Sequence, residues 1–119
     1  MSLHIHQLKV FVPSGPDFAR SKAFFQCLGF ELKWEVEGLA ELALGSAAFL
    51  LQDFHNQEMQ DNLMILVSVE DLDAWWRHIR SCGVLEQYEG VRAKPPTDYP
   101  WGRREVHLID PAGVCWHFA

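Results

Sequence analysis

The chain has 119 residues, 49% of them hydrophobic, and a formal net charge of −6. That length fits one compact domain, the dispersed acidic charge speaks against a nucleic-acid partner, which requires a basic face, and no apolar run reaches the ~18 residues that cross a bilayer. Three widely spaced cysteines, Cys27, Cys82 and Cys115, with no C-x-x-C pair, argue against a disulfide framework and a thiolate zinc site, and read as small buried hydrophobes.

The first segment, Met1 to Val12, alternates polar and apolar residues instead of joining a basic stretch to an apolar block, so no secretory signal is evident and the expected compartment is the cytoplasm. Within it Leu8, Val10 and Val12 alternate with Gln7, Lys9 and Phe11, the period of a strand with two unlike faces. Pro13, Ser14, Gly15 and Pro16 break that strand, and Ser14 is the expected cap of a helix from about Pro16 to Leu28, stopped by Gly29. From Phe30 to Asp53 three short apolar segments, interrupted at Glu37-Gly38 and Gly45-Ser46, predict an antiparallel meander. Phe54 to Gln60 is polar and without periodicity, and reads as a connection.

The pattern then starts again. Leu63, Ile65, Val67 and Val69 alternate with Asn62, Met64, Leu66 and Ser68 as a strand, and Leu72, Trp75, Trp76 and Ile79 form the stripe of an amphipathic helix ended by Gly83. The two tryptophans in that stripe read as core. A loop is expected from about Gly90 to Gly102, with Pro95, Pro96 and Pro100, and a loop that long in so small a chain is a functional candidate. Strands at about Arg104–Ile109 and Val114–Phe118 are joined by Asp110-Pro111-Ala112-Gly113, the residue order of a type I turn.

Phe18, Phe25, Leu28, Gly29 and Phe30 therefore recur 54 positions later as Leu72, Ile79, Cys82, Gly83 and Val84. One supersecondary unit has been used twice. The expected fold is α+β: two βαβββ modules, about residues 1–55 and 61–119, whose helices cover one face of curved mixed sheets and leave the other face to form a cleft. Neither half is large enough to bury its own core, so the halves must pack on each other or on a second chain.

That order, with Pro100-Trp101-Gly102-Arg103 and the ending Asp110-Pro111-Ala112-Gly113-Val114-Cys115-Trp116-His117-Phe118, resembles the vicinal oxygen chelate superfamily of glyoxalases, extradiol dioxygenases, fosfomycin-modifying enzymes and bleomycin-binding resistance proteins. Within it the chain looks most like the bleomycin-binding group. The resemblance implies a homodimer with each cleft lined by both subunits. It also places the metal-ligand positions of the superfamily's enzymes at Gln7, Met64 and His117, with Leu51 near the fourth. Gln7 and His117 are possible donors, but a thioether and a leucine leave the set poor for a catalytic divalent ion. His4 and His6 share a strand face on the helix-covered side, and His55 and His78 read as surface residues.

By strand parity the open face carries Gln7, Lys9, Phe11, Met64, Leu66, Ser68, Glu105, His107, Cys115 and His117, an apolar surface with a few polar groups. His107 and His117, on adjacent strands with Glu105, are the expected polar cluster. The bleomycin-binding resemblance adds Trp34 and Trp101 as stacking surfaces for a flat ligand, while Leu39 and Leu66 stand where that group has further aromatics. The sequence thus predicts a ligand-binding protein more than an enzyme: metal- and cofactor-independent sequestration of a small aromatic or cationic molecule, such as a bleomycin-type antibiotic. The alternatives are a metal-dependent lyase or dioxygenase with an atypical site, and a non-catalytic protein-interaction module.

Overall fold

Asp17 starts the first helix, its carboxylate accepting the backbone N–H of Arg20, and Gly29 ends it at φ 122°, its own N–H turned back to the carbonyls of Phe25 and Gln26. The computed structural model describes residues 1–119. The elements are β1 (Phe11–Pro13), α1 (Phe18–Leu28), β2 (Glu31–Val36), β3 (Leu39–Leu44), β4 (Ala47–Gln52), α2 (Gln57–Asn62), β5 (Met64–Val67), α3 (Leu72–Ser81), α4 (Val84–Gln87), β6 (Arg92–Asp98), β7 (Arg104–Ile109) and β8 (Cys115–Phe118). The cap is Asp17 and not the expected Ser14. The helix begins after Pro16, and Ser14 is buried with its hydroxyl donating to the Gly15 carbonyl.

The duplicated pattern yields two four-stranded mixed sheets of identical topology, β1-β4-β3-β2 and β5-β8-β7-β6. In each, the first strand lies parallel to the last and the other pairs are antiparallel. The registers Val12↔Leu51 and Ile65↔Trp116 put apolar residues on the helix side, whereas Leu66↔His117 and His107↔His117 put the chemistry on the other.

Both sheets contribute to one core. Phe25 of α1 packs edge-on against Phe49 of β4 and Trp116 of β8, at ring separations of 4.9 and 5.3 Å, and Trp75 stacks on Phe118 at 4.8 Å. Trp75 and Trp76 are thus packed against the core as expected. Cys27 and Cys82 are half-buried there, not fully buried, while Cys115 lies on the opposite face of its sheet.

Four local expectations are corrected. The strand before Pro13 is short: residues 1–10 form no ladder, Leu8 is 94% exposed, and His4 and His6 are exposed instead of lying under a helix. The polar connection contains α2, capped by Asn56. Gln60, fully buried, accepts the Asn56 N–H and donates to the Ala112 carbonyl, so hydrogen bonds rather than an apolar stripe hold this helix. The segment expected as a loop from Gly90 is strand β6 as far as Asp98. Pro95 and Pro96, which have no N–H to give, fall where the register with β7 shifts between Lys94 and Thr97, so an edge strand tolerates them. Finally, His78 is half-buried and donates Nε2–H to the Leu28 carbonyl at the end of α1, joining the two long helices.

Asp110 organises the β7–β8 turn: Oδ1 accepts the N–H groups of Ala112 and Val114, and Oδ2 accepts the Trp116 indole at 2.9 Å. Gly113 is required there, since it has φ 99° and a Cβ would stand 2.8 Å from Asp61 Oδ1. Burial, outweighing the hydrogen bonds from Trp116 and the turn backbone, pushes the Asp110 carboxyl up to about 6. Its proton is then held more tightly in the folded chain than in the unfolded one. Relative to Asp110→Asn, urea denaturation of the parent chain should show stability falling as pH rises from about 4 to about 6. Phe25→Ala should lower the free energy of unfolding by about 3–5 kcal/mol in the same assay at fixed pH.

Candidate functional site

Glu105 sits on β7 with only 3% of its side chain exposed, yet it carries a charge. It is satisfied on both oxygens: Oε1 accepts His107 Nε2–H and His117 Nδ1–H, each at 2.9 Å, and Oε2 accepts the Trp101 indole at 3.0 Å. The strand geometry explains the grouping. Residues 105 and 107 share a face by period two, 107 and 117 are register partners, and the turn of residues 99–103 folds Trp101 back over them. Burial by itself raises the Glu105 carboxyl, but the hydrogen bonds from His107, Trp101 and His117, with the charge of His117, outweigh it and hold the group at about 2.

Above the carboxylate the rings form a continuous stack. Trp101 lies on Tyr99 at 4.6 Å and 12°, Tyr99 on His107 at 4.8 Å and 14°, and His107 meets His117 at 4.0 Å. The Tyr99 hydroxyl is 3.3 Å from His107 Nδ1, and Lys94 Nζ lies 5.2 Å from the centre of the Tyr99 ring. Trp101 nevertheless remains 58% exposed, so one face of the stack is open. Cys115, two residues before His117 on the same face, is half-buried. Burial pushes its thiol up, as do the Asp110 and Glu105 carboxylates, against the opposing effect of Arg92. Arg92, Lys94, His107 and Cys115 line a cavity of about 240 Å³.

The structure brings together Trp101, Glu105, His107, Cys115 and His117 among the residues singled out from the sequence. Met64 and Leu66 flank them on edge strand β5 as register partners of Cys115 and His117, and Met64 is 67% exposed. The face expected to be continuous is divided between two sheets. Phe11, opposite Leu50, and Trp34, opposite Glu41, lie on the first sheet, and Lys9 forms an ion pair with Glu41. Ser68 lies past the end of β5, in a cavity of about 510 Å³ at the seam between the halves. No cavity in the chain joins Trp34 or Phe11 to Trp101 and the histidines. Tyr99 and Lys94 were not singled out. An aromatic residue immediately before Pro100-Trp101 is the signal that would have flagged Tyr99.

The four positions implied for a superfamily metal do not fit one. Leu51 is fully buried in the core on the helix side, Gln7 is exposed ahead of β1, Met64 offers a thioether, and His117 Nδ1 is held by Glu105.

The family sequence model of the Glyoxalase/Bleomycin resistance protein/Dioxygenase superfamily matches residues 4–118. The chain belongs to this superfamily. Its fold is that of solved members. A bleomycin-binding protein complexed with bleomycin is 24% identical, with a TM-score of 0.82 over 96% of this chain and 97% of that one. The bleomycin-binding protein of Streptomyces verticillus, complexed with copper(II)-bleomycin, is also 24% identical, with a TM-score of 0.74 over 98% of both chains. A glyoxalase/bleomycin resistance protein from Catenulispora acidiphila is 27% identical, with a TM-score of 0.69 over 93% of this chain and 94% of that one. No curated protein matches the chain. No helix is long and apolar enough to cross a membrane.

The Glu105 contribution to stability should be complete above the ordinary carboxyl value of 4.5 and should be lost as pH falls from there through about 2. Thermal melts from pH 5 to pH 2 should show this acid loss in the parent chain and a flatter profile in Glu105→Gln, whose melting temperature at pH 7 is also lower. The expected cost at pH 7 is about 1.5–3 kcal/mol, that of a hydrogen bond to a charged group.

Proposed function

We propose that this protein binds and sequesters a small planar, positively charged aromatic molecule, such as a bleomycin-type antibiotic, without needing a metal to do so. The observation that supports this reading best is the open Trp101 face, stacked through Tyr99 on His107 and backed by the buried Glu105 carboxylate. A flat ligand laid on that face extends an existing stack, gaining about 0.5–1.5 kcal/mol per aromatic pair beyond area burial, and a positive charge on it is favoured by the π-faces. The overall charge of −6 works in the same direction. The superfamily fold shared with proteins solved in complex with bleomycin and copper(II)-bleomycin supports the ligand class.

In this reading the working unit is a homodimer. Phe11, Trp34, Val36, Met64 and Leu66 are all exposed on the two open faces. A monomer seldom leaves so many large apolar side chains in water. A second copy that laid its first sheet over the second sheet of its partner would cover them and bring Trp34 opposite Trp101, closing two equivalent clefts. Sequestration requires only affinity and abundance, and the three free cysteines accord with a reducing cytoplasm as the place of action.

Tryptophan fluorescence titration with bleomycin, on protein stripped of metal by a chelator, tests this. Saturable quenching is expected, weakened about tenfold in Trp101→Ala, the equivalent of about 1.4 kcal/mol. Sedimentation velocity of the same sample should give a dimer. Absence of saturable binding by bleomycin and by other planar cations would overturn the sequestration reading.

A further inference from the structure

Glu105 does more than satisfy its own charge, because it fixes which ring nitrogens are left over. With His107 Nε2–H and His117 Nδ1–H both given to Oε1, the remaining nitrogens are His107 Nδ1 and His117 Nε2. His117 Nε2 is buried and has no hydrogen-bond partner. Cys115 stands beside it on β8, and one ligand atom from each of His107, Cys115 and His117 lies within 4.8 Å of the other two. In the parallel register Met64 is the partner of Cys115, so a thioether adjoins the group.

We infer that His107, Cys115 and His117 form a binding site for a borderline-to-soft divalent metal ion, with Zn²⁺ as its representative, built entirely from β7 and β8. Two imidazoles and a thiolate suit zinc or copper and exclude calcium and magnesium, which take oxygen donors. Bonds of about 2.0–2.3 Å around a tetrahedral ion set its donors about 3.3–3.8 Å apart, so donors lying within 4.8 Å of one another have to draw together by up to about 1 Å, through side-chain rotation, when the ion enters. The carboxylate holding both imidazoles from behind is the outer-shell arrangement that orients metal-binding histidines.

This set shares only His117 with the four positions considered above, and uses its Nε2. It takes nothing from the first sheet, and it uses a thiol that those positions lack. Two features shape it further. Tyr99 must give up its contact with His107 Nδ1 at 3.3 Å, and the cavity beside His107 and Cys115 is also lined by Arg92 and Lys94. Those cations favour an anionic group, a carboxylate or a hydroxide, as the fourth ligand. The inference is independent of the sequestration reading, since the ion binds the protein without any organic molecule.

The test uses the full chain, stripped of metal and free of organic ligand, titrated with Co²⁺ and then displaced with Zn²⁺. One equivalent of Co²⁺ per chain should bind with a thiolate-to-cobalt charge-transfer band and the visible bands of tetrahedral cobalt, and Zn²⁺ should abolish both. Cys115→Ser should lose the charge-transfer band, and His107→Gln should weaken binding at least tenfold, with circular dichroism matching the parent in both. His4→Ala/His6→Ala should bind as the parent does. Failure of Co²⁺ to bind in the micromolar range, or loss of binding in the His4/His6 variant while Cys115→Ser retains it, would overturn the proposal.

Discussion

The indole of Trp116 is the contact on which the rest of this molecule depends. Its ring packs between Phe25 and Phe49, which come from the first half of the chain, and its N–H is given to Asp110 in the turn that precedes it. One side chain therefore joins the two sheets and sets the start of β8. Because a strand alternates its side chains, fixing Trp116 inward obliges Cys115 and His117 to project from the other face. The candidate cluster is thus positioned by a core residue on the opposite face of the sheet.

The second organising element is electrostatic. A carboxylate almost removed from water is tolerated only when its lone pairs are filled, and Glu105 meets that condition with one indole and two imidazoles. Each donor is restrained in turn: Trp101 and His107 by stacking on Tyr99, and His117 by its place in the sheet. The result is an aromatic wall with a buried negative charge behind it, assembled by the chain's own contacts.

Much of this was legible in the sequence, for definite physical reasons. The duplicated spacing of apolar residues and glycines determined the order of the elements, and period two along β7 and β8 placed Glu105, His107, Cys115 and His117 on one face. What escaped was whatever depends on contacts between distant segments. Helix α2 has no apolar stripe because the Gln60 amide fastens it to Ala112, fifty-two positions away. The prolines of β6 read as a loop because only the pairing with β7 reveals that their missing donors fall at a bulge. His78 looked exposed until α1 ended against it. Likewise parity assigned a face within β5, β7 and β8, but it could not tell that Gln7, Lys9 and Ser68 lie outside the strands, nor that the two sheets present separate faces.

The sheet edges have a consequence for how this chain can associate. At one edge of each sheet, β6 carries Pro95 and Pro96 at its bulge, and β2 carries Glu31, Lys33 and Glu35. Both resist the addition of a further strand, one by lacking donors and the other by charge. At the opposite edges, β1 bears Phe11 and ends in Pro13, whereas β5 bears the exposed Met64 and Leu66 with neither proline nor charge. Edge pairing is therefore disfavoured at β6 and β2, and the least guarded edge is β5. Pairing of β5 with β5 of a second copy would consume both open edges, and growth would end at two chains instead of continuing into a fibre.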